Sequence, residues 1–215
     1  MVQKRQFVNE YGSRFSRRGW MLWLAVWLTM VAGATSAYAQ FLYRQVNLAD
    51  LTQRADIIVQ GRIIEARYEG HPDYPHLPTV RVTLEVERML RGPAGKYFTF
   101  REFIPGPSVP MGKRSYGVGQ RLLLFLPAPS RYGLSNPLAR EQGRFHIQRD
   151  SLGIDRVANE YGNAGIFKSV PERAQQDGVR LTAEQLRLTS SGSGPVPLSE
   201  LASLVQHLML LPRIE

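Results

Sequence analysis

The sequence predicts a mainly β fold: a small antiparallel barrel, closed or strongly bent, with a short helix before it and a helix at the end of the chain. Three observations carry this. Runs of apolar alternation, or of continuous apolar residues of strand length, recur between Ile57 and Asn159, the pattern of half-buried and fully buried strands. Stretches rich in glycine and proline separate them, as in Glu69–Pro78, "RGPAGK" and Ile104–Gln120. Clear helical periodicity flanks the strand region, at Leu48–Ala55 and from Leu198 onward. A bent or closed sheet is the economical arrangement of short strands because it leaves few edges exposed.

Residues 1–39 stand apart. Lys4, Arg5, Arg14, Arg17 and Arg18 form a basic leader, Met21 to Ala34 is apolar and uncharged, and Ala37-Tyr38-Ala39 offers small residues at both positions a signal peptidase reads. The apolar run is shorter than the roughly 18 residues of a membrane span. We therefore expect cleavage after Ala39, a mature chain from Gln40, and membrane contact only through this segment before cleavage. Arg17-Arg18-Gly19 resembles a twin-arginine signal, but the strongly apolar run suits the general secretory route, and both stay open. Export implies the periplasm or the exterior of a bacterium. Much of the formal charge of +9 sits in the leader, where Glu10 is the lone acid. The charge is thus no argument for nucleic-acid binding, and no nucleic-acid partner is expected. The remaining arginine excess suits a protein or an anionic envelope surface. The chain has no cysteine, which excludes disulfides, a lipidated N-terminal cysteine and thiolate metal sites.

Taken in order, Asn47 caps a helix with Leu48, Leu51 and Ala55 inward and Asp50 in its first turn. From Ile57 the β-branched residues argue strand, and Gly61 inside it marks a bulge, a bend or a close backbone approach. "TVRVTLEVERML" alternates most cleanly, with Val80, Val82, Leu84 and Val86 buried and Arg81, Thr83, Glu85 and Glu87 wet. "YFTFREF" puts Phe98 and Phe100 on one face and Tyr97, Thr99, Arg101 and Phe103 on the other. "RLLLFLPA" reads as a fully buried strand, and "RYGLS" and "GRFHIQ" as two more, before a tight turn at "RDSLG". The domain is placed at 40–167. An irregular linker is expected over 168–197, within which Leu181–Leu188 fits a helix or a strand. A final amphipathic helix spans 198–212, with Ser199 as cap and Leu201, Leu204, Val205 and Leu208 on one side.

Few residues form a chemical constellation. Asp56, between helix and strand, can accept backbone N–H bonds where the chain turns, a structural role. No acid, base or nucleophile lies near it in sequence to make it catalytic. His71, Asp73 and His76 in "HPDYPH" are suitable ligand types for zinc or copper, though the spacing matches no regular metal motif. "YGVGQR" lacks the third glycine and following helix of a dinucleotide site, so no cofactor is expected. Tyr97, Phe98, Phe100, Phe103 and Phe145, with Lys113, Arg114, Arg121 and Arg144, could form a base-stacking sheet. A core of aromatics with surface arginines explains them equally well, and export favours it.

"L-x-x-L-x-x-x-A-D-I-I-V-x-G-R-I", "V-x-V-x-L-E-V-E-R-M-L-R-G" and "V-G-Q-R-L-L-L-F-L" resemble the layout of exported bacterial domains of unassigned function. They are also similar to the oligonucleotide/oligosaccharide-binding (OB) barrel of netrin-like and metalloprotease-inhibitor domains. The likeness runs from Leu48 to Leu126. It implies a five-stranded OB-like barrel and a binding role. The inhibitors' cysteines have no counterpart here, so no functional residue carries over. The leading expectation is a non-enzymatic exported binding domain for a protein or envelope component. Alternatives are a metal-dependent or other hydrolase using the His71–His76 loop, and a structural envelope protein.

Overall fold

The computed structural model describes residues 45–104 and 116–213. The leader with Ala37 and Ala39, and most of the Ile104–Gln120 loop with Lys113 and Arg114, lie outside the described residues.

Helix α1 (Leu48–Arg54) begins where Asn47 Oδ1 accepts from the Asp50 N–H at 2.9 Å. It buries Leu48, Ala49 and Leu51 completely. It ends at an extended Ala55 rather than at glycine. Its last carbonyls are met instead by the Arg91 guanidinium, which donates to Thr52 O at 2.6 Å and Ala55 O at 2.8 Å.

Seven strands follow: β1 (Ile57–Gly70), β2 (Pro78–Arg91), β3 (Tyr97–Phe103), β4 (Arg121–Leu126), β5 (Arg144–Arg149), β6 (Asp155–Asn159) and β7 (Val196–Pro197). They make one antiparallel sheet in the order β3-β2-β1-β4-β5-β6-β7. The fold is mainly β, and among the described residues no pairing joins β3 to β7. The sheet is nonetheless strongly curled. The β1–β2 register shifts at Ile58/Val59, Gln60/Gly61 and Ile63/Glu65, and such bulges bend a strand. At Gly61 a Cβ atom would lie 2.6 Å from the Glu85 carbonyl oxygen, so a side chain has no room there. The curl brings Arg144 of β5 to within 3.3 Å of Glu102 of β3. Four strand spacings in a flat sheet, about 19 Å, would keep those side chains apart.

Two apolar cores result. Inside the curl lie Val59, Ile63, Val80, Val82, Leu84, Phe100, Leu122, Leu124 and Leu126. On the opposite face of β4–β6 the helices pack: α1, α2 (Val170–Gln176), α3 (Ala183–Thr189) and α4 (Leu198–Leu208). β1 and β4 serve both cores, which is why Leu122–Leu126 is apolar without interruption. Among the described residues no helix is long and apolar enough to cross a membrane.

Three expectations need correction. "RYGLS" is a turn, not a strand: Gly133 takes φ +67° and Ser130 Oγ accepts from the Tyr132 and Leu134 N–H groups. The stretch 168–197 is no irregular linker but carries α2, α3 and β7. There Thr182 and Gln185 cap α3 reciprocally. Ser199 lies inside the first turn of α4, and the extended residue before that helix is Pro197.

Candidate functional site

β5 and β6 divide their side chains between the two faces of the sheet. Phe145, Ile147 and Val157 enter the helix-side core. Arg144, His146 and Gln148 therefore point the other way, onto the surface that continues outward from the curl. Across the strands His146 pairs with Ala158 and Gln148 with Arg156. The open part of this concave surface is a groove of about 640 Å³ lined by Gln120, His146, Gln148, Arg156, Asn159 and Glu160, among others.

Fixed charges lie near the groove, and of them Arg149, Asp150 and Arg156 line it. Arg121 holds Glu87 through two bonds of 2.7 Å and reaches Asp155 at 2.9 Å. Arg149 also binds Asp155 at 2.9 Å, and Arg156 binds Asp150 at 3.0 Å. Hydrogen bonds from these arginines hold Glu87 and Asp155 below the usual carboxylate range. Asp150 is lowered first by the Ile154 N–H and then by Arg156. Burial, helped by the charge of Arg144, lowers His146, so its imidazole is neutral at pH 7.

Inward of His146 the same surface carries a buried polar cluster. Arg144, with its side chain 2% exposed, donates to Glu102 at 3.3 Å, lies 3.5 Å from Glu141, and stacks 4.2 Å from the centre of the Tyr116 ring. The Tyr116 hydroxyl donates a short bond to Glu102. Burial raises the Glu102 carboxyl against the opposing pull of Arg144 and Tyr116, and burial raises the Tyr116 phenol further still. Raised groups packed around one cation are what functional clefts and structural ion clusters both look like.

Of the residues singled out in the sequence, Arg144 lies in this cluster and Arg121 in the Glu87–Asp155 network, while the others fall elsewhere. Asp56 Oδ2 accepts from the Ala128 N–H at 2.7 Å, and its other oxygen pairs with Arg213. It thus ties the start of β1 to the chain beyond β4 and to the C-terminal segment, rather than closing a local turn. His71 is buried, its Nδ1 accepting from the Asp73 N–H at 3.1 Å and its Nε2 2.8 Å from the Tyr132 carbonyl. Both ring nitrogens are therefore engaged with backbone, while Asp73 and His76 are exposed. Among the described residues no three His, Cys, Asp or Glu side chains are grouped to hold a metal ion. The aromatics do not share one stacking surface: Phe98 and Phe100 belong to the curl, and Phe145 to the helix-side core.

The sequence shows Arg144 only as one of several basic residues and does not reveal the cluster or the groove, yet one signal is present. Glu102 shares strand parity with Phe98 and Phe100, and so continues their inward face. Comparison with family models, curated proteins and solved structures finds no match to this chain.

Proposed function

We propose that the chain is an exported, non-enzymatic binding domain that recognises a protein or envelope component in the β5–β6 groove. The observation that carries this is the groove itself: it is open, about 640 Å³, and lined by hydrogen-bonding side chains of the paired strands, His146, Gln148 and Arg156, together with turn residues such as Gln120 and Glu160. Sites on rigid elements hold their geometry better than sites on loops. Of the carboxylates that line the groove, Asp150 is paired with Arg156. The wall therefore offers oriented polar contacts beside the neutral His146 imidazole, and the reading as a binding surface rests on those contacts.

The strand pairing supports an OB-like reading of the scaffold. β1 pairs with β2 and β4, β2 with β3, and β4 with β5. The Arg144–Glu102 contact spans the remaining gap between β5 and β3. A five-stranded OB barrel left partly open has this order, and its concave wall is a binding surface.

Photo-crosslinking tests the proposal. A photoreactive residue at Gln148 or Ala158 should capture an envelope component in intact cells, and one at the exposed Leu186 on α3 should not. Arg156→Glu should lower the yield at Gln148. Equal capture at Leu186, or none at either groove position, would refute the groove as the binding surface.

A further inference from the structure

We propose that the first half of β3 is a strand-addition site for an extended, acidic peptide segment of another protein, on a surface separate from the β5–β6 groove. The Val86 N–H donates to Lys96 O at 2.8 Å and the Ile104 N–H to Pro78 O at 3.0 Å, on either side of the β2–β3 ladder. These bonds fix the phase of the pairing. Even-numbered residues of β3 bond to β2, and the N–H and C=O groups of Tyr97, Thr99, Arg101 and Phe103 point to the open side.

The chain covers only part of that edge. The Ser135 N–H donates to Arg101 O at 2.8 Å. The Phe103 N–H donates to Asn136 Oδ1 at 3.2 Å, and Asn136 Nδ2 donates to Phe103 O at 3.4 Å. Among the described residues nothing comparable meets the backbone of Tyr97 or Thr99. Where the cover stops, a pocket of about 220 Å³ opens, lined by apolar Ile57, Phe98, Phe100 and Pro129 but also by Arg81 and Arg101. Edge strands left bare are normally blunted by a bulge, a proline or a covering segment. Here the cover ends at Arg101 and gives way to a recess with apolar and cationic lining. An added strand would bond to Tyr97 and Thr99 and place alternate side chains against Phe98 and Phe100 of the recess, with the others beside its polar lining, Thr99 and Arg101.

Charge selects an acidic occupant. On the outer face of β1–β3, Glu65 and Glu69 are shared among Arg67, Arg81 and Arg101, at 2.8–3.6 Å, which leaves a cation in excess. Lys96, at the start of β3, stands 4.0 Å from Glu85. Arg131, in the loop that forms the far wall, stacks on the Tyr132 ring. Aspartates on the outward positions of the added strand would meet this surface.

The probe is a blocked synthetic peptide of about seven residues alternating valine and aspartate, titrated into the full-length protein. It should slow amide exchange at Tyr97 and Thr99 by on the order of tenfold. A lysine counterpart and a version N-methylated along its bonding edge should each bind several-fold more weakly. Thr99→Pro removes an outward N–H at a position where an edge strand tolerates proline. It should lower affinity about tenfold with little change in melting temperature. If that variant misfolds, the N-methylated peptide on the parent protein carries the same test. Unchanged exchange at Thr99, or equal binding of the N-methylated peptide, would overturn the proposal. So would a dimer of the free protein that Thr99→Pro converts to monomer, since the occupant would then be a second copy of this chain.

Discussion

Phe145 and Arg144 are adjacent in β5 and face opposite ways. Phe145 meets Phe125 at 5.6 Å between ring centres, in a core of apolar side chains beneath the helices. Arg144 is equally removed from water but is surrounded by Glu102, Glu141 and Tyr116. The difference separates two ways of holding a sheet. Apolar burial is non-directional and tolerates reshaping. A buried charge cluster fixes particular atoms, and here it fixes β5 against β3 across the curl. It is weak support for stability in itself, because each ion loses hydration on burial. Its structural consequence is the concave surface on which the groove lies.

The largest expected effects test that contrast. Phe145→Ala should destabilise by about 3–5 kcal/mol through transfer and cavity terms. Arg144→Ala should cost a similar amount, about 3–5 kcal/mol, because two carboxylates stay buried without their cation. Repair should separate the two sites. Phe145→Leu should recover most of the loss, whereas Arg144→Met should recover little until Glu102→Gln is added. Urea denaturation of the five variants checks this. Full recovery by Arg144→Met alone would mean that Arg144 acts by filling space, like Phe145.

A smaller effect is expected at His146, where the buried cluster meets the groove. Its folded-state pKa is depressed by burial, then by Arg144, with Glu160 opposing. A depressed imidazole stabilises the fold above its unfolded value of 6.5, and that contribution is lost as pH falls below it. Parent stability should therefore decline between about pH 7 and pH 5 more than that of His146→Gln. Glu102 works with the opposite sign: its carboxyl is raised, so its contribution grows as pH falls. It is common to both proteins and cancels in the difference. Parallel stability curves for parent and variant would remove His146 from the buried surface.

The alternation of Val80, Val82 and Leu84 and the continuous run of β4 could be read from sequence because side-chain period and burial agree there. Asn47 was readable as a cap for the same kind of local reason. Glu102 was not, because a charged residue at an inward position is understood only once Arg144 is known to lie opposite. That juxtaposition spans 42 residues and depends on the curl. The groove likewise depends on β5 pairing with β6 in one register. In the stretch 168–197 a local signal existed, since Thr182 and Gln185 have the spacing of a capping box. The glycine- and serine-rich composition around them points to a linker. "RYGLS" failed in the opposite direction, since its strand-like residues are held in a turn around Gly133.

The smallest expected effect lies at Asp56, which also makes polar ties between distant segments but does so at the surface. Its side chain is 39% exposed, and that of its partner Arg213 is 55% exposed. The Ala128 N–H, followed by Arg213, lowers its pKa. The stability it contributes is therefore present above the ordinary value of 3.8 and fades as pH falls below it. Water screens an exposed pair and solvates whichever partner is left behind. Asp56→Ala should consequently cost about 1 kcal/mol or less. Asp56→Asn keeps an oxygen for the Ala128 N–H and should cost less again. Arg213→Ala should match the part of the loss that Asp56→Asn shows, and the double variant should cost less than the two singles combined, because they remove one shared contact. Denaturation curves for these four variants place the junction on the same scale as Arg144. A loss at Asp56→Ala as large as at Arg144→Ala would mean that exposure does not distinguish the two polar ties, and the contrast between buried cluster and surface anchor would fail.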